Sequence, residues 1–262
     1  MKKHPLAVAV LAGVVTATAP IDALAQELAL EEVVVTARKR TENLQDVGFS
    51  VSALTQSEIE GQFARDITDL VNIAPNIVID DTAQGPGGVA AIFIRGVGVA
   101  DVEKNFDPAV GVVVDGMFIG ANAGSLLRSI DLASMEVLRG PQGTLFGRNT
   151  FGGVINIISK NPGDQLEGSV HVAFGDEDYL ETRATVNIPL GERTSGRISA
   201  FKRERDGYVD AVQYRDLQLG SDDIWGARIR IRSDLTNTFS ADFSADYSKA
   251  EETPGVLRRS VA

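Results

Sequence analysis

Few residues in this 262-residue chain are equipped for covalent or metal chemistry. It has no cysteine, which excludes a disulfide framework, a Cys–zinc site and a thiolate nucleophile. Of its two histidines, His4 lies in the N-terminal leader, which leaves His171 alone. A Ser-His-Asp triad or a His-rich metal site would need that residue. His171 sits instead between Val170 and Val172 in an alternating run, the pattern of the polar side of a strand. The paired carboxylates Asp80-Asp81 and Asp222-Asp223 fall in polar stretches that read as loops, where they are solvated. No catalytic constellation, metal site or cofactor site is expected.

The remaining chemistry is noncovalent. Glu31-Glu32-Val33-Val34-Val35-Thr36-Ala37, followed by Arg38-Lys39-Arg40, is a short run of β-formers with charges on both sides. No partner strand is evident nearby in sequence. Such a segment suits pairing with the exposed sheet edge of another protein, where main-chain hydrogen bonds supply affinity. An ordinary first strand of a domain is the competing reading. A second stretch, Met135–Pro162, organises the rest of the chain. Met135–Leu138 reads as a strand stopped by Gly140-Pro141. Five glycines follow at 140, 143, 147, 152 and 153, a density suited to tight turns or close backbone approach. Val154–Ile158, apolar apart from Asn156, reads as a buried strand ended by Asn161-Pro162-Gly163. As a phosphate loop the stretch fails, because no glycine precedes Lys-Ser or Lys-Thr and no G-x-G-x-x-G opens a helix.

Met135–Pro162 resembles the end of the plug domain of TonB-dependent outer-membrane receptors. That family's plug closes with an EVLRGP strand, a Gly-rich turn with Tyr-Gly, a GGVINI strand and a TK-like exit. Here the turn carries Phe146-Gly147 and the exit is Ser159-Lys160. The resemblance implies that Glu32, Val33, Val34, Val35, Thr36 and Ala37 form the TonB box, in the E-V-V-V-T-A form. It also implies that Arg95, in Ile94-Arg95-Gly96, and Arg139, in Leu138-Arg139-Gly140, are the two plug arginines that pair with barrel glutamates and hold the plug. Buried charges of that kind require partners. Two plug loops are expected to reach the outer vestibule, with Gln84, Gly85, Asp101 and Asn105 as weak ligand candidates.

The elements that position these residues follow in order. Residues 1–25 begin with Lys2-Lys3, continue in an apolar run from Leu6 to Ala19, and end in Ala23-Leu24-Ala25, an A-x-A cleavage site. That is a secretory signal peptide, with a run too short for the ~20 residues of a spanning helix. Residues 26–44 hold the box, 45–162 the plug and 163–262 the beginning of a barrel. The formal charge is −11, and near −12 without the leader, which argues against a nucleic-acid binder with a basic face. Within the plug, Gly48–Leu54 reads as a strand. Thr55 caps a helix with Glu58 as capping box and Leu54 with Ile59 as staple. A second helix is expected from Asp66 to Pro75. Strands follow at Asn76–Ile79, Ala90–Ile94, Gly111–Val114 and Met117–Ile119, with Asp115-Gly116 as a hairpin turn. Ser125–Ile130 reads as a helical turn.

Beyond Gly163 the period is two. Val170, Val172 and Phe174 alternate with polar residues, as do Leu180–Ile188, Trp225–Ile231 and Phe239–Tyr247; around Arg197–Phe201 the facing is blurred. One apolar and one charged face on strands of ~10 residues suggests a transmembrane β-barrel, although a soluble antiparallel sheet with one wet face has the same signature. Pro189–Thr194 and Ser233–Thr238 read as short turns, and Gly207–Asp223 as a long polar loop. A turn at Thr236–Thr238 would set Arg232 opposite Asp242 and Arg228 opposite Asp246. About five strands are visible, against ~22 in a plugged transporter barrel. Lys249–Ala262 reads as an external loop that stops midway, so the chain is expected to be the N-terminal part of a longer protein.

The fold class expected is therefore an α+β plug domain followed by the first antiparallel strands of an incomplete transmembrane β-barrel. The resemblance implies import of a scarce nutrient, a ferric siderophore or similar metal chelate, across the outer membrane with TonB and outer-membrane lipid as partners, no nucleic acid and no enzyme activity. Import of carbohydrate or cobalamin is the alternative within the class. A receptor that also signals to transcription would carry an extra domain before the box. A secreted soluble β-rich binding protein is the alternative of another class.

Overall fold

A computed structural model of the chain describes residues 34–35, 42–61, 74–81, 90–100, 107–120, 131–210 and 218–253. The leader, the helix expected from Asp66, the turn expected at Ser125–Ile130 and residues 254–262 lie outside the described residues.

The N-terminal part opens with β1 (Val34–Val35), β2 (Glu42–Asn43), β3 (Val51–Thr55) and α1 (Gln56–Gly61). It continues with β4 (Ile77–Asp81), β5 (Ala90–Ile94), β6 (Val97–Gly98), β7 (Val110–Val114) and β8 (Met117–Ile119). β9 (Leu132–Arg139), α2 (Gly143–Phe146) and β10 (Gly153–Ser159) complete it. The central sheet has the order β3-β9-β10-β7-β8, and β4-β5-β6 form a smaller sheet. Only the β10–β7 pair of the central sheet is parallel. β10 is flanked on both edges and covered on both faces, which is why Val154, Ile155 and Ile157 form a nearly continuous apolar run.

One face carries Leu54, Val112, Met135, Val137, Ile155 and Ile157 in the main core. The other carries Val113, Leu138 and Val154 together with Val35. Asn156 interrupts the apolar run for a reason: its Nδ2 donates to Glu136 Oε2 at 3.0 Å, and both side chains are buried. A buried polar pair is tolerated when it is hydrogen-bonded.

Local signals form as the residues dictate. Thr55 N donates to Glu58 Oε2 at 2.8 Å and Glu58 N donates to Thr55 Oγ1 at 3.4 Å, the reciprocal capping box. Leu54 and Ile59 are both buried in the main core. Asp115 (φ 48°) and Gly116 (φ 84°) join β7 to β8, the left-handed pair that a two-residue hairpin requires. Gly153 has φ 151°, and a Cβ there would lie 2.3 Å from Leu138 O and 2.8 Å from Ile94 Cδ1. Gly153→Ala is therefore expected to cost roughly 2–4 kcal/mol through strain and overpacking. A shift of the denaturant midpoint at unchanged slope checks it.

The C-terminal part is one antiparallel sheet of β11 (Glu167–Phe174), β12 (Leu180–Gly191), β13 (Thr194–Arg205), β16 (Asp222–Asp234) and β17 (Ser240–Glu252), in that order. Arg228 lies opposite Asp246 and Arg232 opposite Asp242, the register expected. Four readings are corrected. The connection after Gly207 is not all loop: β14 (Val209–Asp210) pairs with β15 (Gln218–Leu219), and Tyr208 lies over Gly220. Lys249–Glu252 belong to β17, paired with β16, rather than to a loop. Asp80 and Asp81 end β4, opposite Ala91 and Ala90. Asp222 and Asp223 begin β16, and Asp222 is an ion-pair partner of Arg205 at 3.0 Å and Arg203 at 3.8 Å rather than a solvated loop residue.

The blurred facing of β13 also resolves. Arg197 is opposite Arg230 and Ser199 opposite Arg228 on the polar face. Phe201 shares that face because Gly226 opposite it leaves space; a Cβ on Gly226 would meet Phe201 Cε1 at 2.6 Å. The other face presents Val170, Val172, Phe174, Ile198, Trp225, Ile229, Phe243 and Tyr247 to the surroundings. No helix among the described residues is long and apolar enough to cross a membrane.

Candidate functional site

The N-terminal segment is not an unpartnered strand. Val34 pairs with Asn43 and Val35 with Glu42 in a two-residue antiparallel ladder. This corrects the expectation that no partner lies nearby in sequence. Val35 is 1% exposed and packs with Val113, Leu138 and Val154. Leu44, Val47, Phe49 and Val51 border the same cluster. Val35 thus lies on the second face of the central sheet, and among the described residues the segment contributes this buried side chain and a two-residue ladder. Burying a valine contributes roughly 1.5–3 kcal/mol. Glu32, Val33, Thr36 and Ala37 lie outside the described residues.

Of the two arginines expected to lock the plug, Arg95 reaches the backbone beside Arg139. Arg95 has φ 54° at the turn between β5 and β6 and is exposed. Its Nη1 would lie 4.0 Å from a Cβ on Gly140, the residue after Arg139. Arg139 Nε is buried and has no hydrogen-bond partner among the described residues. Gln84, Gly85, Asp101 and Asn105 lie outside the described residues. His171 lies on the polar face of β11 opposite Arg183. No cluster of metal-ligating side chains occurs among the described residues.

A second set of contacts, not anticipated from the residue pattern, joins the central sheet to the polar face of the five-stranded sheet. Asp131 (φ 54°) forms a forked ion pair with Arg197, with Arg197 Nη2 donating to Oδ1 at 2.6 Å and Nε to Oδ2. Ser199 Oγ donates to the same Oδ2 at 2.7 Å. The side chains of Arg197 and Asp131 are 6% and 9% exposed. Arg230 Nη1 donates to Ser159 O at 3.2 Å and to Asp115 Oδ1 at 3.4 Å. Arg228 donates to Ser159 Oγ. Asn187 accepts from Gly163 N at 2.7 Å and donates to Gly163 O at 2.8 Å, clamping the chain where it leaves the plug. A forked arginine–carboxylate pair fixes orientation as well as distance. These contacts fasten Asp131 to β13, Asp115 and Ser159 to β16, and Gly163 to β12.

A protein-family model described as the TonB-dependent receptor plug domain matches residues 43–154. Residues 43–154 are thus a plug domain of the TonB-dependent receptor type. The iron-regulated outer membrane virulence protein of Vibrio cholerae is 29% identical over 205 residues, covering 73% of this chain and 30% of that protein. The vitamin B12 transporter of Vibrio vulnificus is 26% identical over 270 residues, covering 99% of this chain and 42% of the transporter. Among solved structures, the ferric yersiniabactin uptake receptor of Yersinia pestis superimposes with a TM-score of 0.72 at 22% identity, over 79% of this chain and 32% of that one. The chain spans 30–42% of the length of these relatives.

The α+β part is accordingly the plug of a TonB-dependent receptor, and the five-stranded sheet is the first part of an outer-membrane β-barrel. The family is one of transport receptors rather than enzymes. The polar face that holds Asp131 through Arg197 is the inner wall of the barrel, and the apolar face meets lipid.

Proposed function

We propose that the receptor imports a scarce metal chelate, a ferric siderophore or similar iron complex, across the outer membrane, driven by TonB. Glu32–Ala37 is the segment that TonB captures by strand addition. The observation that carries the reading is the dock of Val34–Val35: a short β-forming segment whose described residues meet the plug through one buried valine and a two-residue ladder. Such a segment can be exchanged for a strand of a partner at small cost. Arg95 and Arg139 hold the plug through carboxylates of the barrel wall, a role supported by the buried Nε of Arg139, which has no hydrogen-bond partner among the described residues. Gln84, Gly85, Asp101 and Asn105 belong to the plug loops that meet the ligand. The protein carries no catalytic activity and no resident cofactor; the metal enters as cargo.

The iron-related names of the Vibrio cholerae and Yersinia pestis relatives favour a ferric chelate. The match of 99% of this chain to a vitamin B12 transporter favours cobalamin as the second reading. Competitive binding to the purified whole receptor separates them. A panel of ferric hydroxamates, catecholates and carboxylates, with cyanocobalamin alongside, should give one tight iron chelate. Tight binding of cyanocobalamin or of an oligosaccharide, with none of the chelates bound, would overturn the iron reading.

A further inference from the structure

The lipid-facing side of the five-stranded sheet is uncharged row by row until its outer end. Residues directly opposite one another form a row through Ile198 and Ile229, then one through Ala184, Ala200, Ala227 and Tyr247. The next row contains Lys202, Trp225 and Lys249 on three adjacent strands. The row beyond it contains Glu204, Asp223 and Glu251. The strand turns at Glu192-Arg193 and at residues 235–239 are short, whereas residues 206–221 make a long connection. Long connections face the exterior in barrels of this kind, so the lysines lie at the outer leaflet.

Carboxylates cannot sit in hydrocarbon, so their row marks the start of water. The lysine row, one step below, lies at headgroup depth, where a cation costs little and the stem can run along apolar surface. The lysines stand two strands apart, ~10 Å between backbones. Between them Trp225 packs tilted against Tyr247, with ring centroids 5.3 Å apart. Both lysines are about half exposed, and they pair with Glu204 and Glu251 on their own strands. Exposed pairs of this kind hold weakly and exchange readily for a better anion. The three alanines just below leave a shallow furrow beside Tyr247.

We propose that Lys202, Trp225 and Lys249 form a site for a bis-phosphorylated lipid headgroup of the outer leaflet. Each lysine takes one phosphate, the headgroup lies across Trp225, and an acyl chain occupies the alanine furrow. The site rests on the membrane face of the barrel and not on which nutrient is imported.

Native mass spectrometry of the whole receptor in detergent, titrated with bis-phosphorylated lipid A, tests it. Phosphatidylglycerol serves as the singly phosphorylated comparison. Lys202→Ala/Lys249→Ala is expected to lower lipid A affinity roughly 100-fold, about tenfold per phosphate contact. Lys202→Arg/Lys249→Arg should retain binding, and Glu204→Gln/Glu251→Gln should tighten it by freeing the lysines. Heat-modifiable migration on gels reports barrel closure in every variant, and the glutamine pair remains a test if the alanine pair does not fold. Unchanged affinity in the alanine pair, no tightening in the glutamine pair, or equal binding of phosphatidylglycerol by the unmodified receptor would overturn the proposal.

Discussion

Cells whose receptor carries Val35→Pro are expected to bind ligand at the surface and fail to accumulate it, with uptake reduced roughly 100-fold or more. Proline removes the backbone N–H and fixes φ, a change worth about 3 kcal/mol where a main-chain bond is needed. Strand addition by TonB depends on those main-chain bonds. The same substitution weakens the ladder in which Val35 pairs with Glu42. It also disturbs the cluster of Val35 with Val113, Leu138 and Val154. Loosening the dock alone would expose the segment and favour capture, so the two effects have opposite signs. Val35→Ala separates them: it keeps the N–H, loses part of the buried side chain, and should leave uptake near normal while making the segment more sensitive to protease. Normal uptake by Val35→Pro would show that the segment is not captured as a strand.

Arg197→Ala is expected to destabilise the seating of the plug by about 3–5 kcal/mol, because it leaves Asp131 buried without its cation. Asp131 would retain Ser199 as a donor, at 2.7 Å, but not the forked pair. The expected consequence is earlier plug unfolding in urea and a higher passive influx of large antibiotics normally excluded by the outer membrane. Asp131→Ala/Arg197→Ala should recover much of the loss, since neither charge then stands alone. Single and double variants that behave alike would show that the plug is held mainly elsewhere, at Arg95 and Arg139.

The residue pattern revealed what is local or strictly periodic. Thr55 and Glu58 announced the capped helix because both partners lie within one turn. Asp115-Gly116 announced the hairpin because few residues accept two left-handed positions. The register of β16 and β17 was announced by the short turn at Thr236–Thr238, which sets Arg232 opposite Asp242, together with the alternation that keeps Trp225, Ile229 and Phe243 on one face. What was not legible depends on distant partners or on very short pairing. The ladder of Val34–Val35 with Glu42–Asn43 is two residues long, and its partner side, Glu42-Asn43, carries no strand propensity. Phe201 obscured the facing of β13 because the space it fills comes from Gly226 on the next strand. Asp131 stood out by no local pattern, and only folding brings it to Arg197, 66 positions away. Its positive φ is the one local trace, and no residue-type pattern reports it.

The central claim is that import is powered through Glu32–Ala37. Its most direct test is accumulation of radioactive iron, presented as the chelate the receptor binds most tightly, by cells in which this is the only outer-membrane iron receptor. With TonB present and the inner membrane energised, accumulation against the gradient is expected. It should fall to the level of surface binding when TonB is deleted or the proton gradient is collapsed. Accumulation that continues at the same rate without TonB would contradict the account.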